Sequence, residues 1–381
     1  MKVAASELVL TGGHCLLPRH GLIEADIICA DGIIADIRPA PRTPGKAIDA
    51  AGCLVLPGIV DIHGDAFERQ IMPRPNAMFP LDLAMLDSDR QLVANGITTA
   101  YHGITVSWEP GLRSLATSLE VIAAMEGLEP LFQADNRVHL RWETFALDAL
   151  EAVAALLARL KTPLLAFNDH TTPLMKAADV RLAISKHAER SLVAPERYME
   201  LHDAVLERRA EVPAAILALA AVARQSGVPM LSHDDRSPEE RRFYRGLGAR
   251  IAEFPVTAET IAASAEAGDH IVLGAPNVVR GGSHTGALGA EQAIRQGQCS
   301  ILASDYYYPA PLRAALAVAD RGILSLEQAW NLVSSAPAEA AGLTDRGRIA
   351  PGLRADLVVV DPRQARPVAT ICGGRPAYRA G

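Results

Sequence analysis

Short apolar runs alternate with longer segments of helical periodicity through the middle of the chain, from about residue 56 to residue 345. Apolar runs of about four to eight residues are typical of buried strands, and longer periodic stretches such as Asp82–Asn95, which Gly96 ends, are typical of helices. Strands that alternate with helices favour a parallel sheet. The pattern predicts an α/β fold, a (β/α)₈ TIM barrel, with strands at Ile59–His63, Thr98–His102, Val138–Glu143, Leu164–His170, Pro229–His233, Arg250–Phe254, His270–Gly274 and Ser300–Asp305.

The two ends of the chain have a different character, because turn residues rather than helices separate their apolar runs. Asp31-Gly32 lies between two such runs and predicts a β-hairpin. A similar apolar run occupies residues 355–361. We therefore predict a small β-sandwich domain formed by residues 1–55 and 346–381, beside a barrel domain of residues 56–345.

Residues 171–228 form a segment that is long for a connection between a barrel strand and its helix. The segment is charged and predicted to be helical, and Pro213 would start or split one of its helices. Insertions of this size build lids or substrate walls in barrel proteins.

Composition narrows the functional class. The chain has 381 residues, 49% of them hydrophobic, and a net charge of −7, which disfavours nucleic acid and anionic membranes as partners. Its five cysteines are scattered without C-x-x-C spacing, and no signal pattern begins the chain, so we expect a cytoplasmic protein. The most apolar stretch, Ala214–Ala223, is too short to span a bilayer. A small molecule is the expected partner, and self-association into a homo-oligomer is compatible with this composition.

Polar side chains follow several of the predicted strands. Residues i and i+2 of a strand share a face, so His63 and Asp65 converge at the end of the first. The carboxyl ends of barrel strands form active sites, and burying such groups unpaired would cost roughly 2–7 kcal/mol each. A shared site for Zn, Mn or Fe would satisfy them, and the alternative is a polar barrel mouth with inert histidines. The candidate ligands are His63, Asp65, Glu143, His170, His233 with Asp234 and Asp235, and Asp305.

Several motifs resemble a known family. Residues 57–65, 95–99 and 347–361 are similar to the amidohydrolase superfamily. Within it, residues 72–75, 232–235 and 304–309 and the block Ala275-Pro-Asn-Val-Val-Arg-Gly-Gly-Ser-His284 resemble the PhnM family. That family comprises the ribose 1-methylphosphonate 5-triphosphate diphosphatases of the carbon–phosphorus lyase pathway. The resemblance implies a barrel, a small β-sandwich, and hydrolysis of a triphosphate to pyrophosphate and a monophosphate.

The resemblance also implies roles for individual residues and a cofactor of two divalent ions. His63 and Asp65 would bind one ion, and His170 and His233 would bind the other. Glu143 would bridge the two ions. Asp305 would contact the first ion and act as the catalytic base that accepts a proton from the attacking water.

A triphosphate needs cations away from the metals, and guanidinium groups bind phosphate through two hydrogen bonds. The candidates beside the predicted catalytic face are Arg69, Arg74, Arg141, Arg280, Ser283 and His284. Residues 169–176, Gly64 and Ala66 depart from the family pattern, so the exact substrate stays open. Two alternatives also stay open: hydrolysis of a C–N bond by a cyclic amidase or deaminase, and a catalytically idle barrel that binds a partner of the pathway.

Overall fold

The structure is a computed structural model that describes residues 8–39, 47–174, 180–281 and 289–380. Its strands are β1 Leu8–Leu17, β2 Gly21–Ala30, β3 Ile33–Pro39, β4 Ala47–Asp49, β5 Leu54–Pro57, β6 Ile59–Gly64, β7 Ile97–Val106, β8 Asp135–Glu143, β9 Leu164–Asn168, β10 Met230–His233, β11 Ile251–Glu253, β12 His270–Gly274, β13 Ile301–Ala303, β14 Leu357–Asp361, β15 Arg366–Cys372 and β16 Arg375–Arg379. Its helices are α1 Glu68–Ile71, α2 Leu81–Ala94, α3 Leu115–Leu128, α4 Leu150–Arg159, α5 Thr171–Leu174, α6 Val180–Arg190, α7 Pro195–Glu207, α8 Val212–Gln225, α9 Pro238–Gly246, α10 Ala258–Glu266, α11 Ala275–Arg280, α12 Ala290–Arg295, α13 Ala310–Asp320, α14 Leu326–Asn331 and α15 Ser335–Ala340.

The middle of the chain is the predicted barrel. Strands β6 to β13 lie side by side in chain order and pair in parallel. The first and last strands meet at a bridge between Gly64 and Asp305. There the Asp305 N–H donates to the carbonyl of His63 (2.9 Å), and the Asp65 N–H donates to the carbonyl of Asp305 (2.9 Å). The (β/α)₈ prediction is confirmed, and the closing hydrogen bonds involve three of the predicted site residues.

An apolar layer lies below the polar strand ends. Leu231, Ile251 and Ile301 pack in one buried cluster, together with Ala338 and Ala340 of α15. Side chains two positions apart on a strand share a face. The residues two positions beyond Leu231 and Ile251 are a histidine and a glutamate, and an aspartate lies four beyond Ile301. The barrel interior thus changes from apolar to ionisable within one or two pleats.

Strands from both ends of the chain form a second sheet, as predicted. Its order is β16-β15-β14-β5-β1-β2-β3, and β4 pairs with β1. The strands of the expected sandwich are hydrogen-bonded into one continuous sheet, which has its own core around Leu10, Ile27 and Leu357. The predicted hairpin is present, because Asp31 (φ 52°) and Gly32 (φ 83°) occupy the left-handed region that a tight turn between β2 and β3 requires.

Helix α2 follows its predicted boundaries closely. Helix α2 ends one residue before Asn95, and Gly96 then takes a positive φ of 79°. Pro213 lies in the first turn of α8, where a missing N–H leaves no bond unmade. Within the described parts of the chain, no helix is both long and apolar enough to cross a bilayer.

Two glycines of the segment before β14 provide a test of backbone packing. Gly347 (φ +86°) and Gly352 (φ +85°) share a conformation that costs other residues roughly 1–2 kcal/mol. A Cβ at Gly347 would lie 2.9 Å from the Cα of Ser335, whereas a Cβ at Gly352 would meet nothing within 4 Å. We expect Gly352→Ala to lose about 1–2 kcal/mol of unfolding free energy in urea, and Gly347→Ala to lose about 1–3 kcal/mol more, because overpacking adds to the strain. Equal losses would show that α15 yields to the added methyl group.

Candidate metal centre

The carboxyl ends of the barrel strands bring most of the predicted ligands together. Ligand atoms of His63, Asp65 and Asp305 all lie within 4.8 Å of one another. A second group with the same spacing joins His170 and His233 to Asp234. Imidazole and carboxylate groups in such clusters suit Zn²⁺, Mn²⁺ or Fe²⁺. Two sets of donors with no residue in common therefore lie at the barrel mouth.

Glu253, at the end of β11, connects the two sets and was missed by the sequence analysis. Its side chain is fully buried, with Oε1 2.7 Å from Nδ1 of His63 and Oε2 2.7 Å from Nδ1 of His233. Burial opposes its charge, but His63, His139 and these hydrogen bonds hold the pKa of Glu253 well below its usual value. A carboxylate can only accept, so both Nδ1 atoms donate. This leaves a lone pair on each Nε2 atom, the arrangement that carboxylate–histidine pairs produce in metal sites.

Arg141 lies among the ligands rather than at the rim. Its side chain is 4% exposed, with Nη2 3.1 Å from Nε2 of His233 and Nη1 3.6 Å from Oδ2 of Asp65. An arginine only donates, so Nε2 of His233 is the acceptor, in agreement with the tautomer that Glu253 sets. Gly103 on the adjacent strand β7 makes room, because a Cβ there would lie 3.0 Å from Cδ of Arg141. The barrel wall is therefore shaped around this side chain.

Glu143 holds His170 in place. Oε1 of Glu143 is 2.6 Å from Nδ1 of His170, and Oε2 accepts from the His170 backbone N–H at 3.1 Å. Burial opposes both charges, but mutual attraction lowers the pKa of Glu143 to about 2 and, with Asp234, raises that of His170 to about 9. In this arrangement Glu143 orients His170, and its bridging of two ions stays a prediction.

Asp305 combines a buried carboxylate with a strained backbone. Burial, and then the nearby charge of Asp65, raise its pKa to about 7. Its φ is 55°, and Asp234 (φ 60°) after β10 and Phe254 (φ 53°) after β11 share the left-handed region. Such backbone costs of order 1–3 kcal/mol per residue and concentrates at functional sites. The closing hydrogen bonds of the barrel hold Asp305 in this conformation.

Two of the predicted phosphate-binding arginines meet at one tyrosine. The guanidinium of Arg69 donates to the carbonyl of Tyr306, and Nη1 of Arg280 donates to the hydroxyl of Tyr306 at 3.3 Å. Tyr306 directly follows Asp305, so this exposed basic pair lies beside the candidate ligands. Arg74 is exposed in the turn after α1. Ser283 and His284 lie outside the described residues.

His139 is a buried histidine beside the centre that the sequence analysis did not select. It is fully buried two residues before Arg141, and neither ring nitrogen has a hydrogen-bond partner among the described residues. Burial lowers its pKa to about 3. Unpartnered buried nitrogens beside Glu253 and His63 indicate that the described side chains do not complete this centre by themselves.

The chain is similar in sequence to known proteins of one family. Residues 110–378 match the amidohydrolase family. The chain belongs to this family. It is 33% identical to the alpha-D-ribose 1-methylphosphonate 5-triphosphate diphosphatase of Escherichia coli (strain K12), over 82% of this chain and 85% of that protein. This match confirms the resemblance that the sequence motifs indicated.

More distant amidohydrolases widen the range of chemistries. Adenine deaminase of Methylobacterium sp. (strain 4-46) is 27% identical over 99% of this chain and 59% of that protein. A solved amidohydrolase from an environmental sample of the Sargasso sea superposes with a TM-score of 0.67 at 17% identity, over 98% of this chain and 93% of that one. The solved structure shows a shared fold, and the names of the two curated relatives, a diphosphatase and a deaminase, refer to different reactions.

The position of Glu253 leads to a test of metal affinity. In Glu253→Gln, the amide oxygen can accept from one histidine, but the amide nitrogen must donate to the other and reverse its tautomer. We expect metal affinity to fall about 10- to 100-fold, as is usual when such a partner is lost. Competition with a chromophoric chelator measures this. Glu259→Gln, on the exposed face of α10, is the control; equal affinities in both variants would rule out the orienting role.

Proposed function

We propose that this amidohydrolase is a metal-dependent diphosphatase of phosphonate metabolism. It would cleave a ribose 1-alkylphosphonate 5-triphosphate to the 5-phosphate and pyrophosphate. The observation that carries this proposal is the basic pair of Arg69 and Arg280 at Tyr306, one residue from the buried carboxylate of Asp305. The likeness to the Escherichia coli diphosphatase supports the same substrate class.

The donors fit a divalent ion. His63, Asp65 and Asp305 would hold it, because Glu253 already fixes the tautomer of His63 and the hydrogen bonds that close the barrel fix the two aspartates. When bound, a divalent ion lowers the pKa of water and so supplies a nucleophile at neutral pH. Asp305 then accepts the proton of the water that adds to phosphorus, and pyrophosphate leaves as the phosphoanhydride bond breaks.

The arginines would bind different phosphates of the substrate. Arg69 and Arg280 are exposed beside Tyr306, where they meet the outer phosphates. Arg141 is buried among the ligands, where it meets the reacting phosphoryl group. Preorganised donors aimed at developing negative charge are worth more in a buried site than in water.

One observation favours a second candidate, hydrolysis of a C–N bond. The adenine deaminase match spans 99% of the chain. Parallel assays separate the two candidates: pyrophosphate release from ribose 1-methylphosphonate 5-triphosphate, and ammonia release from adenine, each with metal-loaded and chelator-stripped protein. We expect metal-dependent pyrophosphate release. Ammonia release from adenine without pyrophosphate release from the triphosphate would instead identify the protein as a deaminase.

Removal of the proposed proton acceptor should slow the reaction without unfolding the protein. Asp305→Asn keeps the size of the side chain and one oxygen ligand, so we expect most bound metal to remain while single-turnover hydrolysis slows by about 10²–10⁴-fold. Asp320→Asn, at the exposed end of α13, controls for loss of a carboxylate. A wild-type rate in Asp305→Asn would exclude it as the base.

Removal of Arg280 should weaken oligophosphate binding selectively. A charge-assisted hydrogen bond contributes roughly 1.5–3 kcal/mol, so Arg280→Ala should lower kcat/KM for the triphosphate by about 10- to 100-fold. Arg280→Lys should recover part of this, because lysine lacks the planar fork. Arg295→Ala, an exposed arginine of α12, is the control. A lower melting temperature with unchanged kinetics would instead make Arg280 a structural residue.

A further inference from the structure

Arg141 and a metal ion compete for one lone pair of His233. An unprotonated imidazole nitrogen has a single lone pair, and Nε2 of His233 offers it to Nη2 of Arg141 at 3.1 Å. A metal would use the same lone pair at about 2.0–2.1 Å, the usual zinc–nitrogen distance. The guanidinium in this position and an ion on His233 are therefore mutually exclusive.

The structure holds the guanidinium where it is. Arg141 leaves β8 through the space that Gly103 opens, and it is 3% exposed. Nη1 pairs with Oδ2 of Asp65 at 3.6 Å, which provides a counter-charge inside the centre. Moving a buried arginine away from its carboxylate would leave that carboxylate uncompensated, which is costly.

The group of His63, Asp65 and Asp305 keeps a donor for an ion. Glu253 engages Nδ1 of His63, so Nε2 remains for a metal. Asp65 and Asp305 lie within 4.8 Å of it, and the backbone hydrogen bonds that close the barrel connect all three residues. In the second group, Arg141 already uses the lone pair of His233, so only His170 and Asp234 remain as donors there.

We propose that the centre takes one divalent ion, on His63, Asp65 and Asp305, and that Arg141 occupies the place of a second ion. Nε and Nη1 of Arg141 have no hydrogen-bond partner among the described residues, and they donate to an oxygen of the reacting phosphoryl group. Arginine stays protonated throughout the working range, so it is a permanent cation where a second metal would have to be acquired. This replaces the two-ion expectation from the sequence, and its substrate part rests on the proposed function.

Metal stoichiometry tests the proposal without reference to activity. Wild-type protein equilibrated with excess Mn²⁺ should bind one ion per chain by elemental analysis after dialysis, with an uncoupled EPR signal. Arg141→Met keeps the length of the chain but frees the lone pair of His233, so it should bind a second ion and show exchange coupling. Arg137→Met, a buried arginine at the other end of β8 that pairs with Asp135, should still bind one.

Several results would overturn the proposal. Two coupled ions in the wild type, or a single ion in Arg141→Met, would overturn it. If Arg141→Met does not fold, two further variants locate the ion: His233→Ala should retain it and Asp65→Ala should lose it, and the reverse pattern would refute the assignment. One bound ion without pyrophosphate release would contradict the proposed function and leave this inference standing, whereas two ions with release would do the opposite.

Discussion

The buried carboxylate of Glu253 is the constraint on which the candidate site depends. Its two oxygens accept from Nδ1 of His63 and Nδ1 of His233, both at 2.7 Å, and so connect β6 and β10 through β11. These contacts set both tautomers, so that each Nε2 atom keeps a lone pair that can accept. A buried carboxylate is stable only when its partners donate to it, so the centre keeps this geometry before any ligand arrives.

Barrel closure and chemistry are coupled at the seam between the first and last strands. Ser304 and Asp305 bond to β6 through Asp61 and His63, so the seam is fixed by residues of the site itself. The left-handed backbone of Asp305 is strained, and the paired N–H and C=O groups on both sides stabilise it. A change at this seam would therefore alter barrel stability and ligand placement together.

The sequence predicted the barrel well because strand identity is a local property. Apolar runs located each barrel strand to within a few residues, and the rule that parallel strands end at one face identified His63, Asp65, His233 and Asp305. The same rule, applied to Arg250–Phe254, would have identified Glu253. In the sequence, the apolar Phe254 follows Glu253, so the predicted strand continues past the glutamate. Glu253 is therefore not recognised as the end of the strand.

The place of Arg141 could not be predicted in the same way. Alternation along β8 predicts that His139, Arg141 and Glu143 share one face. It does not predict how far the arginine side chain reaches across the barrel. That reach depends on Gly103 of the neighbouring strand and on the lone pair that Glu253 leaves on His233. Both are contacts between segments distant in sequence, and the local pattern contains neither.

The long insertion is joined to the barrel by another buried carboxylate. Glu109, which follows β7, accepts from Arg190 of α6 at 2.6 Å and from the hydroxyl of Tyr198 of α7 at 2.7 Å, and His187 lies 3.1 Å away. Burial opposes its charge, yet these partners hold the pKa of Glu109 below its usual value. Glu109 and Arg190 line a cavity whose walls also include His170 and Glu143.

Residues of the insertion therefore form a wall of this cavity, and the position of the insertion relative to the barrel is set by charge as well as by apolar packing. Ion pairs of this kind are specific in geometry, because an arginine fork and a tyrosine hydroxyl must both reach the same carboxylate. Substitutions around Glu109 would shift the wall while leaving the ligands on β6, β10 and β13 in place. The wall and the candidate ligands thus lie on different elements, and one fold can carry different reactions when such walls differ.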